Sequence, residues 1–214
     1  MGEIVLVRHG QANSAAKDDE SYDRLSDLGR TQAAWLGDWL RAQGATFDRV
    51  LSGSLHRHRQ TAEAMGQQDA EIDPRLNEMD YFNLGAALEA RHGIEMPGPD
   101  DFMHHAPKVM EAWHRAEIRG LETFAEFEER VVSVLVEASA PGVRVLCVTS
   151  GGVIGMCVRH LLDLDPTRMA HVLLPIFNSS LHRITVAPHG NFLAGFNAIP
   201  HLEHPERAYA RTHY

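Results

Sequence analysis
Cysteine is scarce: only Cys147 and Cys157 occur in 214 residues, and both stand among apolar neighbours. Two such residues exclude a disulfide framework and predict reduced core thiols. Long apolar runs are missing too. None approaches the roughly twenty residues needed to span a bilayer, so no membrane-spanning helix is expected. The N-terminus passes straight into strand pattern, with no basic region or small-residue cleavage site, so no secretory signal is expected. Met1-Gly2 opens a myristoylation motif, but Leu6 stands where Ser or Thr is needed. Positive charge is in deficit, with a net charge of −9. That gives a nucleic acid no overall field to bind, although a local arginine cluster can still hold a small anion. Internal repeats and low-complexity segments are absent. The expectation is a cytoplasmic protein with neither a membrane nor a nucleic-acid partner.

What is present is an ordinary globular composition, 44% apolar and 23% charged, in a length that suits one domain over residues 1–214. Ile4-Val5-Leu6-Val7 reads as a buried strand that stops abruptly on Arg8-His9-Gly10. After a polar loop over 12–24, Ser26 is a fair helix N-cap, with Ala33, Leu36 and Leu40 on one face and Gly44 as the stop. Arg49-Val50-Leu51 is a second short strand, ending at Ser52-Gly53-Ser54, and 55–66 reads as a helix. Residues 81–119 are irregular helical pieces broken at Met96-Pro97-Gly98-Pro99, and are read as a surface insertion over the sheet's edge. Thr123–Ala138 is a long helix with Phe124, Phe127, Val131, Val134 and Leu135 on one face. Val143–Thr149 is a strand buried on both faces, turned by Ser150-Gly151-Gly152 into a helix over 153–162. Segments 181–186 and 192–199 form an edge hairpin. This order predicts an α/β fold: a mostly parallel central sheet, helices on both faces, and an antiparallel edge hairpin near the C-terminus.

Three strand ends thus offer Arg8-His9-Gly10, Ser52-Gly53-Ser54 with Arg57 just beyond, and Ser150-Gly151-Gly152. In open α/β sheets the carboxyl ends of strands are where ligands bind. With these motifs in hand the sequence resembles the histidine phosphatase superfamily, the phosphoglycerate mutase-like proteins. The matches are Leu-Val-Arg-His-Gly at 6–10, Leu-x-x-x-Gly-x-x-Gln-Ala at 25–33, Leu-x-Arg-x-x-Gln-Thr-Ala at 55–62 and Leu-x-Glu at 76–78. The helix from Glu122 to Arg130 and the Gly151-Gly152 turn also have counterparts there.

An imidazole is unprotonated near neutrality and suits nucleophilic phosphoryl transfer. Two guanidinium forks, Arg8 and Arg57, can clamp phosphate oxygens. The resemblance implies that His9 becomes phosphorylated and that Glu78 protonates the leaving oxygen. It implies a small phosphorylated substrate, or phosphate, as the ligand, with no cofactor and no metal. Among the fourteen histidines, His104-His105, His56-x-His58 and His201-x-x-His204 lack a complete ligand set or a recognised metal spacing.

One position departs from the family pattern. Where the family has a second histidine before Gly-Gly, this chain has Ser150. A hydroxyl donates one hydrogen bond and carries no charge, although the helix N-terminus at Gly151 still favours an anion. Loss of one such donor costs roughly a hundred- to a thousand-fold in rate. Three readings stay open: a phosphatase working through phosphohistidine, a weak or inactive protein that binds phosphorylated ligands or partners, and a phosphomutase. If the donor is merely lost, Ser150→His should raise turnover. If the pocket is instead rebuilt around serine, with a water or a neighbouring histidine (His104, His105 or His201) filling the space, the added ring should clash. The first outcome is the expected one. No Gly-x-Ser-x-Gly elbow surrounds Ser150, which argues against a serine nucleophile.

Overall fold
The computed structural model describes residues 1–13, 19–98 and 101–213. Its strands are β1 (Gly2–Arg8), β2 (Arg49–Ser52), β3 (Glu71–Ile72), β4 (Arg144–Thr149), β5 (Leu181–Ala187) and β6 (Gly190–Ala198). Its helices are α1 (Asp19–Tyr22), α2 (Asp27–Ala42), α3 (His56–Ala64), α4 (Tyr81–His92), α5 (Phe102–His114), α6 (Phe124–Ala138), α7 (Gly151–Leu162) and α8 (Pro166–Leu173). Of the expected polar loop, 14–18 lie outside the described residues, as does Pro99 of the expected breaker.

The sheet runs β3-β2-β4-β1-β5-β6. β1, β2 and β3 reach one another through β4 and β2 in parallel pairings, whereas β5 pairs antiparallel with β1 and β6 with β5. The fold is therefore the α/β arrangement expected, a mixed sheet that is mostly parallel with an antiparallel C-terminal hairpin. Alternation along β1 and β4 explains why both faces are covered. Ile4, Leu6, Val145 and Cys147 pack on one side with α4 to α8, while Val5, Val7, Leu146 and Val148 pack on the other against α2 and α3.

Caps set several boundaries. Ser26 accepts the Gly29 N–H at 3.0 Å and starts α2. Thr123 and Glu126 form a reciprocal capping box that starts α6. α7 begins at Gly151, two residues before the position expected. Ser150 is already its extended N-cap residue, and the two glycines form the first turn. α8 was not foreseen, although Asp165-Pro166 is a helix-start signature. The Asp165 carboxylate accepts the Arg168 N–H at 2.9 Å, with Pro166 in the first turn. β3 is only two residues long, too short to leave a periodic signal.

The core also holds uncharged imidazoles. His182 is fully buried, its Nδ1 accepting from Asn197 N–H at 3.2 Å and its Nε2 lying 3.0 Å from Ser180 Oγ. Burial, reinforced by Arg8, pushes it down to about 3. Between that value and roughly 6.5 the unfolded chain binds a proton that the fold refuses, so stability falls as the pH drops through this window. His182→Gln removes this group's share. Urea unfolding at pH 7 and pH 5 should give a variant that loses about 2 kcal/mol less than the parent between the two. An equal loss in both proteins contradicts the assignment.

Candidate active site
The ends of β1, β2 and β4 bring the expected residues together. His9 follows β1, where its N–H donates to Thr149 O at 2.9 Å and its carbonyl accepts from Ser179 N–H at 3.1 Å. Its side chain is 2% exposed. Nδ1 lies 2.7 Å from the Gly10 carbonyl oxygen. A carbonyl only accepts, so Nδ1 carries the proton and Nε2 keeps its lone pair. Burial, then Arg57 and Arg8, hold this imidazole well below its ordinary range, so it is neutral around pH 7.

Arg57 sits in the first turn of α3 and is 3% exposed. Asp23 fixes it twice. Its carboxylate accepts the N–H groups of His56 (2.9 Å) and Arg57 (3.1 Å), in effect capping α3 from outside, and also the Arg57 guanidinium at 3.1 Å. The Tyr22 ring lies 5.1 Å from the guanidinium carbon. Thr61 Oγ1 accepts from Gly10 N–H (3.1 Å) and donates to Arg57 O (2.7 Å), tying α3 to the β1 turn. Arg8 donates to the Ile176 carbonyl. Its burial lowers it from the ordinary arginine value. Among the described residues, neither Arg8 Nε–H nor Arg57 Nε–H finds an acceptor. Two buried cationic donors without acceptors are costly in a fold, and an anion is what satisfies them.

Glu78 follows a 3-10 turn that is held from two sides. Thr149 Oγ1 donates to Leu76 O at 2.6 Å, and Arg130 of α6 donates to the carbonyls of Arg75 (2.7 Å) and Asn77 (2.8 Å) while paired with Glu122. The Glu78 carboxylate accepts from Gly152 N–H (3.1 Å) at the start of α7 and from Met79 N–H (3.0 Å). A Cβ at residue 152 would stand 2.1 Å from Glu78 Oε1, so only glycine lets the carboxylate dock there.

A cavity of about 380 Å³ opens over this cluster. Arg8, Arg57, Glu78 and Gly151 line it, with Tyr22, Met79, Tyr81, Phe82, Met96, Phe102, Met110, Leu173 and Leu174 among its other walls. His9 and Ser150 are buried and are not part of that wall. Most of the apolar wall comes from α4, α5, the segment joining them, and α8.

These strand ends and this fold have known counterparts. The chain matches the histidine phosphatase superfamily (branch 1) over residues 4–199. It belongs to that superfamily. A mitochondrial serine/threonine-protein phosphatase Pgam5 from Drosophila virilis is 26% identical over 190 residues, 88% of this chain and 60% of that relative. The chain therefore spans under two thirds of that protein's length. A 2,3-bisphosphoglycerate-dependent phosphoglycerate mutase from Methylorubrum populi is 35% identical over 94 residues, 38% of this chain and 42% of the mutase. Among solved structures, a phosphoserine phosphatase mutant from Entamoeba histolytica in complex with phosphoserine superposes with a TM-score of 0.68. It is 19% identical and covers 94% of this chain and 100% of that one. Among the described residues, no helix of this histidine phosphatase-family chain is long and apolar enough to cross a membrane.

The surroundings of Ser150 differ from the expectation. The histidine beside it is His58, whose Nε2 is 2.6 Å from Ser150 Oγ. None of the three candidates fills the space: His104 is exposed, His105 meets the Tyr81 hydroxyl at 2.7 Å, and His201 meets Ser179 Oγ at 2.8 Å. With His58 so close, a second imidazole on residue 150 has no room. The expected gain from Ser150→His is replaced by an expected loss. Sequence reasoning also missed Tyr22, the last residue of α1, and Asp23 just after it; α1 lies inside the stretch expected to be a polar loop, and no motif surrounds it. Leu173 and Leu174 were missed with α8.

The Glu78 docking predicts that Gly152→Ala moves the carboxylate at little cost in stability, since the obstructing atoms are flexible side-chain ends. Its melting temperature should stay within about 4 °C of the parent, a shift equivalent to ~1 kcal/mol or less. A crystal structure of the variant should show Glu78 no longer accepting the residue 152 N–H. An undisturbed hydrogen bond contradicts this reading.

Proposed function
We propose that the protein is a phosphomonoester hydrolase that works through a phosphohistidine on His9. The observation that carries this reading is the neutral His9 ring, with Nδ1–H committed to Gly10, beside two guanidiniums whose buried Nε–H groups find no acceptor among the described residues. Nε2 attacks phosphorus and the ester P–O bond breaks. Arg8 and Arg57 take up charge on the phosphoryl oxygens, aided by Ser150 and the N-terminus of α7 at Gly151. Glu78, in its acid form, gives its proton to the departing oxygen. Its carboxylate then takes a proton from the water that attacks the phosphohistidine, releasing phosphate and restoring the imidazole.

The substrate class follows from the wall. Among the described residues, Arg8 and Arg57 are its only arginines or lysines, and both belong to the phosphate clamp. A leaving group bearing a carboxylate, as in phosphoserine or a phosphoglycerate, has no further cation to meet. The aromatic, methionine and leucine side chains favour an uncharged, apolar leaving group instead. In this reading residues 81–119 act as an insertion that selects the substrate. The two free, buried thiols suit the reducing cytoplasm.

The test is kcat/KM on two alkyl esters of similar leaving tendency, 2-phenylethyl phosphate and phosphoserine. The aromatic ester should be preferred by about tenfold or more, the worth of one or two buried methylenes. His9→Ala should abolish both activities. Undiminished hydrolysis by His9→Ala ends the proposed mechanism, and a preference for phosphoserine ends the proposed substrate class.

A further inference from the structure
Ser150 occupies the N-cap position of α7 in extended conformation, yet its hydroxyl makes no hydrogen bond back to the helix. A serine there ordinarily turns its oxygen onto the second or third N–H of the helix. Here the oxygen faces His58 instead, at 2.6 Å, and both side chains are fully buried. His58 stands one residue beyond Arg57, with its ring centroid 5.7 Å from that of His9. Space is provided for it: a Cβ at Gly53 would lie 2.1 Å from His58 Nδ1. A polar ring taken fully out of water into a site opened by a glycine is not a packing filler, since Ala or Leu would fill the space without the desolvation cost.

We infer that His58 is a positioning residue for phosphoryl transfer, acting through Ser150 as a replacement for a histidine at the end of β4. The inference rests on the phosphatase reading given above. His58 Nδ1 has no partner among the described residues. A buried N–H left unpaired is rarer and costlier than an acceptor left unpaired, so the proton belongs on Nε2, which donates to Ser150 Oγ. The serine O–H is then free to point at a phosphoryl oxygen, with its lone pair already engaged and its rotation fixed. Burial and the neighbouring Arg57 keep His58 uncharged. The dyad thus offers one oriented neutral donor, and the positive charge at the site is left to the two arginines.

The experiment compares kcat for p-nitrophenyl phosphate among the parent, His58→Ala, His58→Gln, Ser150→His and the double variant His58→Ala with Ser150→His, each checked by thermal melting. His58→Ala should lower kcat by about ten- to a hundred-fold, and Ser150→His, with two rings in one space, by at least as much. The double variant restores one imidazole on the other side of the same gap. It should recover to within about fivefold of the parent and acquire a new ionisation in its pH–kcat profile, because an imidazole then faces the phosphoryl group directly. A purely structural role for His58 would move neither the profile nor the double variant. The inference is overturned if folded His58→Ala keeps the parent kcat, or if the folded double variant stays at the level of Ser150→His. Where either of these two variants does not fold, His58→Gln decides. Its amide N–H reaches the serine, so parent-like turnover supports the inference and a loss of about tenfold or more at parent-like melting temperature contradicts it. A parent without His9-dependent hydrolysis would instead overturn the phosphatase reading, and this inference with it.

Discussion
The hydrogen bond from His9 Nδ1–H to the Gly10 carbonyl is the constraint on which the site depends. At 2.7 Å, inside the protein, it fixes the tautomer and the ring plane together and leaves Nε2 as the lone-pair nitrogen. Everything around it keeps the ring uncharged. β1 is central in the sheet, clamped between β4 and β5, so His9 emerges at a depth where water is excluded. Arg8 and Arg57 then oppose any proton the ring might take up. The same two cations would be a liability in an ordinary core. Each buried guanidinium N–H without an acceptor costs more than the roughly 1–3 kcal/mol of a neutral donor. Asp23 and the Ile176 carbonyl offset part of that cost. The remainder is the sort of local instability that functional sites retain.

The fold was legible where local physics sets it. The apolar run of β1, the Ser26 and Thr123 caps and the Pro188-His189 turn between β5 and β6 each specify an element with little help from elsewhere. Legibility failed where tertiary packing decides. β3 is two residues annexed by the edge of β2. The start of α7 depends on Ser150 and two glycines whose closeness to Glu78 only the folded chain reveals. α8 did carry a local signal, Asp165-Pro166, and was readable in principle.

The candidate site divides along the same line. His9, Arg8, Arg57 and Glu78 lie in short motifs, and the fold brings Arg8, Arg57 and Glu78 to the wall of one cavity with His9 buried behind them. Asp23 and Tyr22 reach Arg57 from the end of a four-residue helix too short to leave a periodic signal, so the sequence offers no reason to choose them. His58 was hidden by its neighbours: in His56-Arg57-His58-Arg59 nothing separates a buried ring from a solvated one. The only hint was the serine at 150, which asked for a partner without naming it. Ser150 at the end of β4 and His58 on α3 are 92 positions apart in sequence and in contact in space.

The proposed phosphohistidine on His9 Nε2 is tested most directly by its position on the ring. After alkaline quenching of the enzyme during turnover, ³¹P–¹H correlation spectra of the intact or digested protein report which ring protons lie three bonds from phosphorus. Attachment at Nε2 correlates phosphorus with both Hδ2 and Hε1 of His9, and that is the predicted result, with the adduct lost in acid. Phosphorus correlated with Hε1 alone would place it on Nδ1, against the hydrogen bond to Gly10. That result, or an adduct on Ser150, would contradict the account.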